Sequence, residues 1–222
     1  MSVIRRPGVL GRTTQRRLVG ATAALSAATV ETVAVVSWFV LVVESRTVST
    51  AMGGLGILFC GSLLRTGVFG VATRSLGDLL RPQRLVTAMV LTGSWIVWLL
   101  VAEWVGGVDG LVVAALALAV VLTGQFALER HAFRFERRYD SDSLLDSLTD
   151  PATFVPGTLI ALGATTLLAT AWFTDWSFTT ALFSVRETVL YFRVQAYQLG
   201  ALAFWIVSLL AQQHRLRRIL EP

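Results

Sequence analysis

The sequence predicts an all-α fold: a polytopic membrane helix bundle of six transmembrane helices. Three observations carry that expectation. Hydrophobic residues fill 55% of the 222 positions and charged residues only 15%, where soluble domains carry roughly 25% charge. The apolar residues gather into runs of about 18 to 26, enough to cross a hydrocarbon core of roughly 30 Å. The charges between the runs fall preferentially on alternate connections.

The runs lie at about 18–43, 50–73, 85–106, 110–129, 156–174 and 194–212, within a single integral membrane domain, 1–222. The first follows a basic segment holding Arg5, Arg6, Arg12, Arg16 and Arg17, the flank of a signal peptide. Its apolar stretch is far longer than the roughly 7–15 residues of a signal core, and no small-residue cleavage motif follows. It reads as a retained first span.

Every basic residue is Arg, and together with the acidic residues they give a net charge of +5. The N-terminal tail, the second–third connection (Arg74, Arg81, Arg84), the fourth–fifth connection (Arg130, Arg134, Arg137, Arg138) and the C-terminal tail (Arg215, Arg217, Arg218) hold most of them. The opposite side holds Arg46, Arg186 and Arg193. Positive-inside topology then places both termini in the cytoplasm and the chain in the cell membrane, which requires an even number of spans. Because the arginines flank apolar runs, they report topology, and no nucleic-acid partner is expected. Trp104, Trp172 and Trp176 fall at the outer boundary, where indoles favour the interface.

Two connections are more than turns. The cytoplasmic connection 130–155 begins with a stretch that extends the fourth helix, then offers Ser143 with Asp146 three residues on, and a restart at Asp150-Pro151. The outer segment 177–193 places Phe178, Leu182, Val185, Val189 and Phe192 at three- and four-residue spacing, which predicts an interfacial amphipathic helix. "SWFVLVVE" (37–44) resembles "SWIVWLLVAE" (94–103), and "TAWFTDW" (170–176) sits similarly. Three helical hairpins would follow if these are repeats, although aromatic and acidic residues recur at outer helix ends without duplication.

Two ionisable residues lie well inside spans: Glu31 in the first and Arg65 in the second. Such groups are costly, about 2.5–3.5 kcal/mol each on insertion scales, and seek partners inside the bundle. Counted from Arg17 and Arg74, Glu31 lies roughly 21 Å up and Arg65 roughly 13 Å up. Cα–Cβ bonds tilt toward the helix N-terminus, so in antiparallel helices the two side chains lean toward each other. Ala24, Ala27, Ala28 and Ala34 share the Glu31 face, and Gly54, Gly61 and Ser62 share the Arg65 face; small residues let such helices approach closely. A buried Glu31–Arg65 ion pair between the first two spans is expected.

Cys60 is the lone cysteine. Arg65 lies about 140° round the helix from it, so Cys60 reads as packing. No paired-histidine zinc motif, phosphate loop or nucleophile elbow occurs. No metal and no cofactor are expected, and the balance is against an enzyme. Gln195 and Gln198 read as interhelical glue. A structural or accessory membrane component, in contact with the bilayer and with membrane-protein partners or copies of itself, leads. A small transporter or channel using Glu31 and Arg65, lined by Thr29, Ser62 and Thr66, is the alternative, and a membrane-embedded enzyme comes third.

Overall fold

The computed structural model describes residues 9–44, 47–72, 82–135, 150–185 and 188–220. Among them are six helices: α1 (Val9–Glu44), α2 (Val48–Ala72), α3 (Pro82–Val105), α4 (Gly107–Phe135), α5 (Pro151–Phe173) and α6 (Ala196–Leu220). A hairpin of β1 (Ser177–Val185) and β2 (Thr188–Gln195) joins the last two. Five of the helices, α1 to α5, contain stretches long and apolar enough to cross a membrane. The sixth falls outside that group, because Gln198, Ser208, Gln212, Gln213 and His214 interrupt its apolar residues.

Each helix packs on the next, and α6 returns to pack on α1, closing a ring. The middle of the ring is filled. Trp95 of α3 meets Trp98 edge-on at 5.7 Å and Phe204 of α6 edge-on at 5.7 Å, a favoured aromatic arrangement. Leu58, Leu118, Leu122, Ile160 and Leu167 pack into the same core. Outward positions such as Val33, Leu64, Met89, Leu116, Leu162 and Leu202 are large, apolar and exposed, a surface suited to lipid.

Helix starts follow local chemistry. Thr47 caps α2 reciprocally: its Oγ1 accepts from Thr50 N at 3.3 Å, and Thr50 Oγ1 accepts from Thr47 N at 3.2 Å. The expected restart at Asp150-Pro151 is where α5 begins, with the Asp150 carbonyl accepting from Thr153 N at 2.9 Å and Phe154 N at 3.1 Å; Pro at the first helical position lacks only an N–H that had no partner there. The turn from α3 to α4 passes through Gly106 and Gly107 with φ of 73° and 61°, a backbone region that glycine adopts without strain. The fourth helix extends past its membrane-length stretch to Phe135. The Ser143–Asp146 pattern lies outside the described residues.

The outer segment is not a helix. It forms an antiparallel hairpin in which Phe178 pairs with Val194, Thr180 with Phe192 and Phe183 with Leu190. The segment is rich in Thr, Val, Phe and Tyr, residue types that favour strands. A register shift between Ala181 and Phe183 leaves Leu182 without a partner position. Such a bulge inserts one residue and resets the two-residue alternation. Positions 178, 183 and 185 therefore fall in step with 194, 190 and 188, and the interruption obscures the two-residue alternation of a strand. At the hairpin base, Ala196 N donates to the Trp176 carbonyl at 3.0 Å.

Close approach of α1 and α2 depends on Gly61, where an added Cβ would collide with the Ala34 methyl, whereas Gly53 on the same helix faces open space. Gly61→Ala is expected to lower stability by about 1–3 kcal/mol. Gly53→Ala should be neutral or stabilising by up to about 1 kcal/mol. Thermal unfolding of the two variants in detergent measures the difference, and equal effects would contradict this packing.

Candidate functional site: a buried carboxylate shared by three helices

The structure brings Glu31 and Arg65 together. Arg65 Nη1 donates to Glu31 Oε1 in an ion pair whose side chains are 2% and 3% exposed. The pair is part of a larger cluster. Glu31 Oε2 accepts from Ser208 Oγ at 2.9 Å and from Gln212 Nε2 at 3.0 Å. Ser208 and Gln212 lie four apart on α6, so one helix face presents both donors. One carboxylate on α1 thus binds a cation from α2 and two neutral donors from α6.

An aromatic ring lies beside this cluster. The Arg65 guanidinium sits 5.5 Å from the centroid of Phe126 on α4, and Arg215 of α6 sits 4.5 Å from the same ring. Both lie within reach for cation–π attraction. Around the pair, Glu31, Leu58, Gly61, Arg65, Leu91 and Trp95 enclose a cavity of about 10 Å³, at the lower limit for holding one water. Within this cluster the Gln212 Oε1 atom is buried without a hydrogen-bond partner among the described residues, an uncompensated acceptor.

The small-residue stripe on α1 serves two seams. Ala24, Ala27 and Ala28 are fully buried and Ala34 nearly so. Ala34 meets Gly61 of α2, while Ala24 packs with Leu216 of α6. Gly54 lies under Trp38, where an added Cβ would come within 2.8 Å of the indole.

Of the three residues expected to line a path, Ser62 lines the small cavity beside Glu31 and Arg65, while Thr29 and Thr66 do not. Thr29 is exposed and accepts from Trp205 Nε1 at 3.1 Å. Ser62 is buried, its Oγ 3.5 Å from Thr92 Oγ1 of α3. Thr66 is half-buried and donates to its own helix at the Leu63 carbonyl, 2.8 Å away. Cys60 is exposed on α2, away from the buried face that carries Ser62 and Arg65. Among the described residues, no group of three His, Cys, Asp or Glu side chains could hold a metal ion.

Sequence reasoning missed Ser208 and Gln212. Their signal was present: a polar pair at i and i+4 within an otherwise apolar stretch, opposite a buried acid. It named Gln195 and Gln198 instead, but Gln198 Oε1 accepts from Gln195 N at 3.1 Å and caps the start of α6. Gln212 makes an interhelical amide contact, to Glu31, and Gln125 of α4 makes another, donating to the Thr87 carbonyl of α3 at 3.5 Å.

Removing one partner of a buried ion pair strands the other charge, so Glu31→Gln and Arg65→Leu should each lower stability by about 3–5 kcal/mol. Ser208→Ala removes a neutral bond inside a membrane bundle and should cost only about 0.6–1.7 kcal/mol. The double replacement Glu31→Met/Arg65→Met should be less destabilising than either charge-stranding variant, because it leaves no buried charge. Equilibrium unfolding in detergent micelles ranks the four, and a double variant as unstable as the sum of its parts would contradict the pairing. No protein-family model, curated protein or solved structure matches this chain.

Proposed function

We propose that this chain is a non-catalytic, multi-pass membrane component: a structural or accessory bundle that assembles with other membrane proteins or with copies of itself. In this reading the intramembrane ion pair fixes helices in place. The supporting observation is that both oxygens of the Glu31 carboxylate are engaged, by Arg65 on one and by Ser208 and Gln212 on the other. An ion- or proton-carrying group must be reached from one side of the membrane, and a space of about 10 Å³ beside the pair offers no such route.

The same reading takes α6 as a sixth span, with both termini on the arginine-rich, cytoplasmic side of the cell membrane. Two features support it. Ser208 and Gln212, which lower the hydropathy of α6, turn toward Glu31. The residues α6 exposes at Leu199, Leu202, Ile206 and Leu210 are apolar, as a lipid-facing surface requires.

Reconstituted into liposomes, the wild-type chain and Glu31→Gln are expected to be equally silent to ion and proton flux. A flux present in the wild type and abolished in Glu31→Gln would replace this reading with transport. Single cysteines placed at either terminus in a Cys60→Ala background should label from the same side of the membrane. Labelling from opposite sides would remove α6 from the spans.

A further inference from the structure

Of the six described helices, α6 alone lacks a stretch long and apolar enough to cross a membrane. Between Gln198 and Gln212 it offers residues 199–211, 13 positions and about 20 Å of helix, where a hydrocarbon core measures roughly 30 Å. To reach across, α6 must draw Ser208 and Gln212 into the hydrocarbon. A hydroxyl or an amide without a partner is costly there, because no water can take the partner's place.

Glu31 answers both groups. Its pairing with Arg65 uses Oε1 and leaves Oε2 as an acceptor inside the membrane. Ser208 and Gln212, both buried, donate to that oxygen. Trp205, on the same face of α6, donates to Thr29 Oγ1, and Leu216 packs on Ala23 and Ala24. One face of α6 is thus given over to α1.

Two other features hold α6, and neither does what Glu31 does. Arg215, Arg217 and Arg218 follow the apolar stretch and favour the cytoplasmic side, but they add nothing to its apolar length. On the α5 seam, Gly200 lies against Leu167 and Thr170, and Gly163 against Phe204 and Val207. That is close packing, and it leaves Ser208 and Gln212 unanswered. We infer that α6 is a conditional span: it crosses the membrane by docking Ser208 and Gln212 on Glu31 Oε2, and without that acceptor it stays at the hairpin-side surface. One buried acid then governs the side of the membrane on which Arg215, Arg217 and Arg218 lie. The inference rests on the proposed place of α6 as the sixth span and adds what makes it one.

Labelling of single cysteines with a membrane-impermeant maleimide, on the full chain in a Cys60→Ala background, tests it. In the wild type, Pro222→Cys and Ser2→Cys should label from one side, and Val48→Cys at the exposed start of α2 from the other. The pair Glu31→Leu/Arg65→Leu removes the acceptor and strands no charge. Losing two hydrogen bonds of the size measured inside membrane bundles should raise the share of Pro222→Cys labelled from the Val48 side about tenfold, with Ser2→Cys and Val48→Cys unmoved. Adding Ser208→Leu/Gln212→Leu, which makes α6 apolar enough to span unaided, should return Pro222→Cys to the Ser2 side. Opposite-side termini in the wild type would remove α6 from the spans altogether. Same-side termini in the wild type and equally in the Glu31→Leu/Arg65→Leu variant would leave α6 a span and overturn its dependence on Glu31. So would a displaced C-terminus that Ser208→Leu/Gln212→Leu fails to restore, or a Val48→Cys signal that moves with it, since the whole bundle would then depend on the pair.

Discussion

The Glu31 carboxylate is the contact on which the closed ring depends. Helices surrounded by lipid gain little hydrophobic drive toward one another, so close packing and polar contacts decide which seams form. Here two seams meet at one side chain. Arg65 ties α2 to it, Ser208 and Gln212 tie α6 to it, and α1 becomes the common member of both. The neighbouring residues follow from that demand. Gly61 is small because α2 must come close enough for Arg65 to reach; Ala24, Ala27 and Ala28 are small because α1 is covered on this side. Phe126 offers its ring to the same guanidinium, so α4 also contributes to the surroundings of the charge.

The ion pair was legible because its logic is geometric. Helix direction, rise per residue and Cα–Cβ tilt place an acid and an arginine at converging heights before any coordinate is known. The neutral donors were harder to read. Ser208 and Gln212 resemble the many isolated polar residues that transmembrane helices tolerate, and only the bundle's closure brings α6 opposite α1. The hairpin was illegible for a different reason: one unpaired residue, Leu182, changes the parity of the alternation. A strand interrupted in this way loses the two-residue alternation by which it is recognised. Residue type, with its Thr, Val and aromatic content, was the better guide there than spacing.

The two ends of the bundle differ in how the chain turns. On the hairpin side, α1 passes to α2 across residues 45–47 and α3 to α4 through Gly106 alone. The connections of α2 to α3 and of α4 to α5 are longer, 73–81 and 136–150, and several arginines fall within them. The hairpin-side connections are thus the short ones.

The spacing of the donors along the chain also sets an order of assembly. Arg65 follows Glu31 by 34 residues, while Ser208 and Gln212 follow it by 177 and 181. As the chain is synthesised, the carboxylate has its cation available as soon as the second helix is made, and waits for its neutral donors until the last. The helix that brings them is the one whose own apolarity falls short of the others. The acid neutralised at the start of synthesis is therefore also the acceptor that receives the final helix, and one residue links the first and last steps of building the ring.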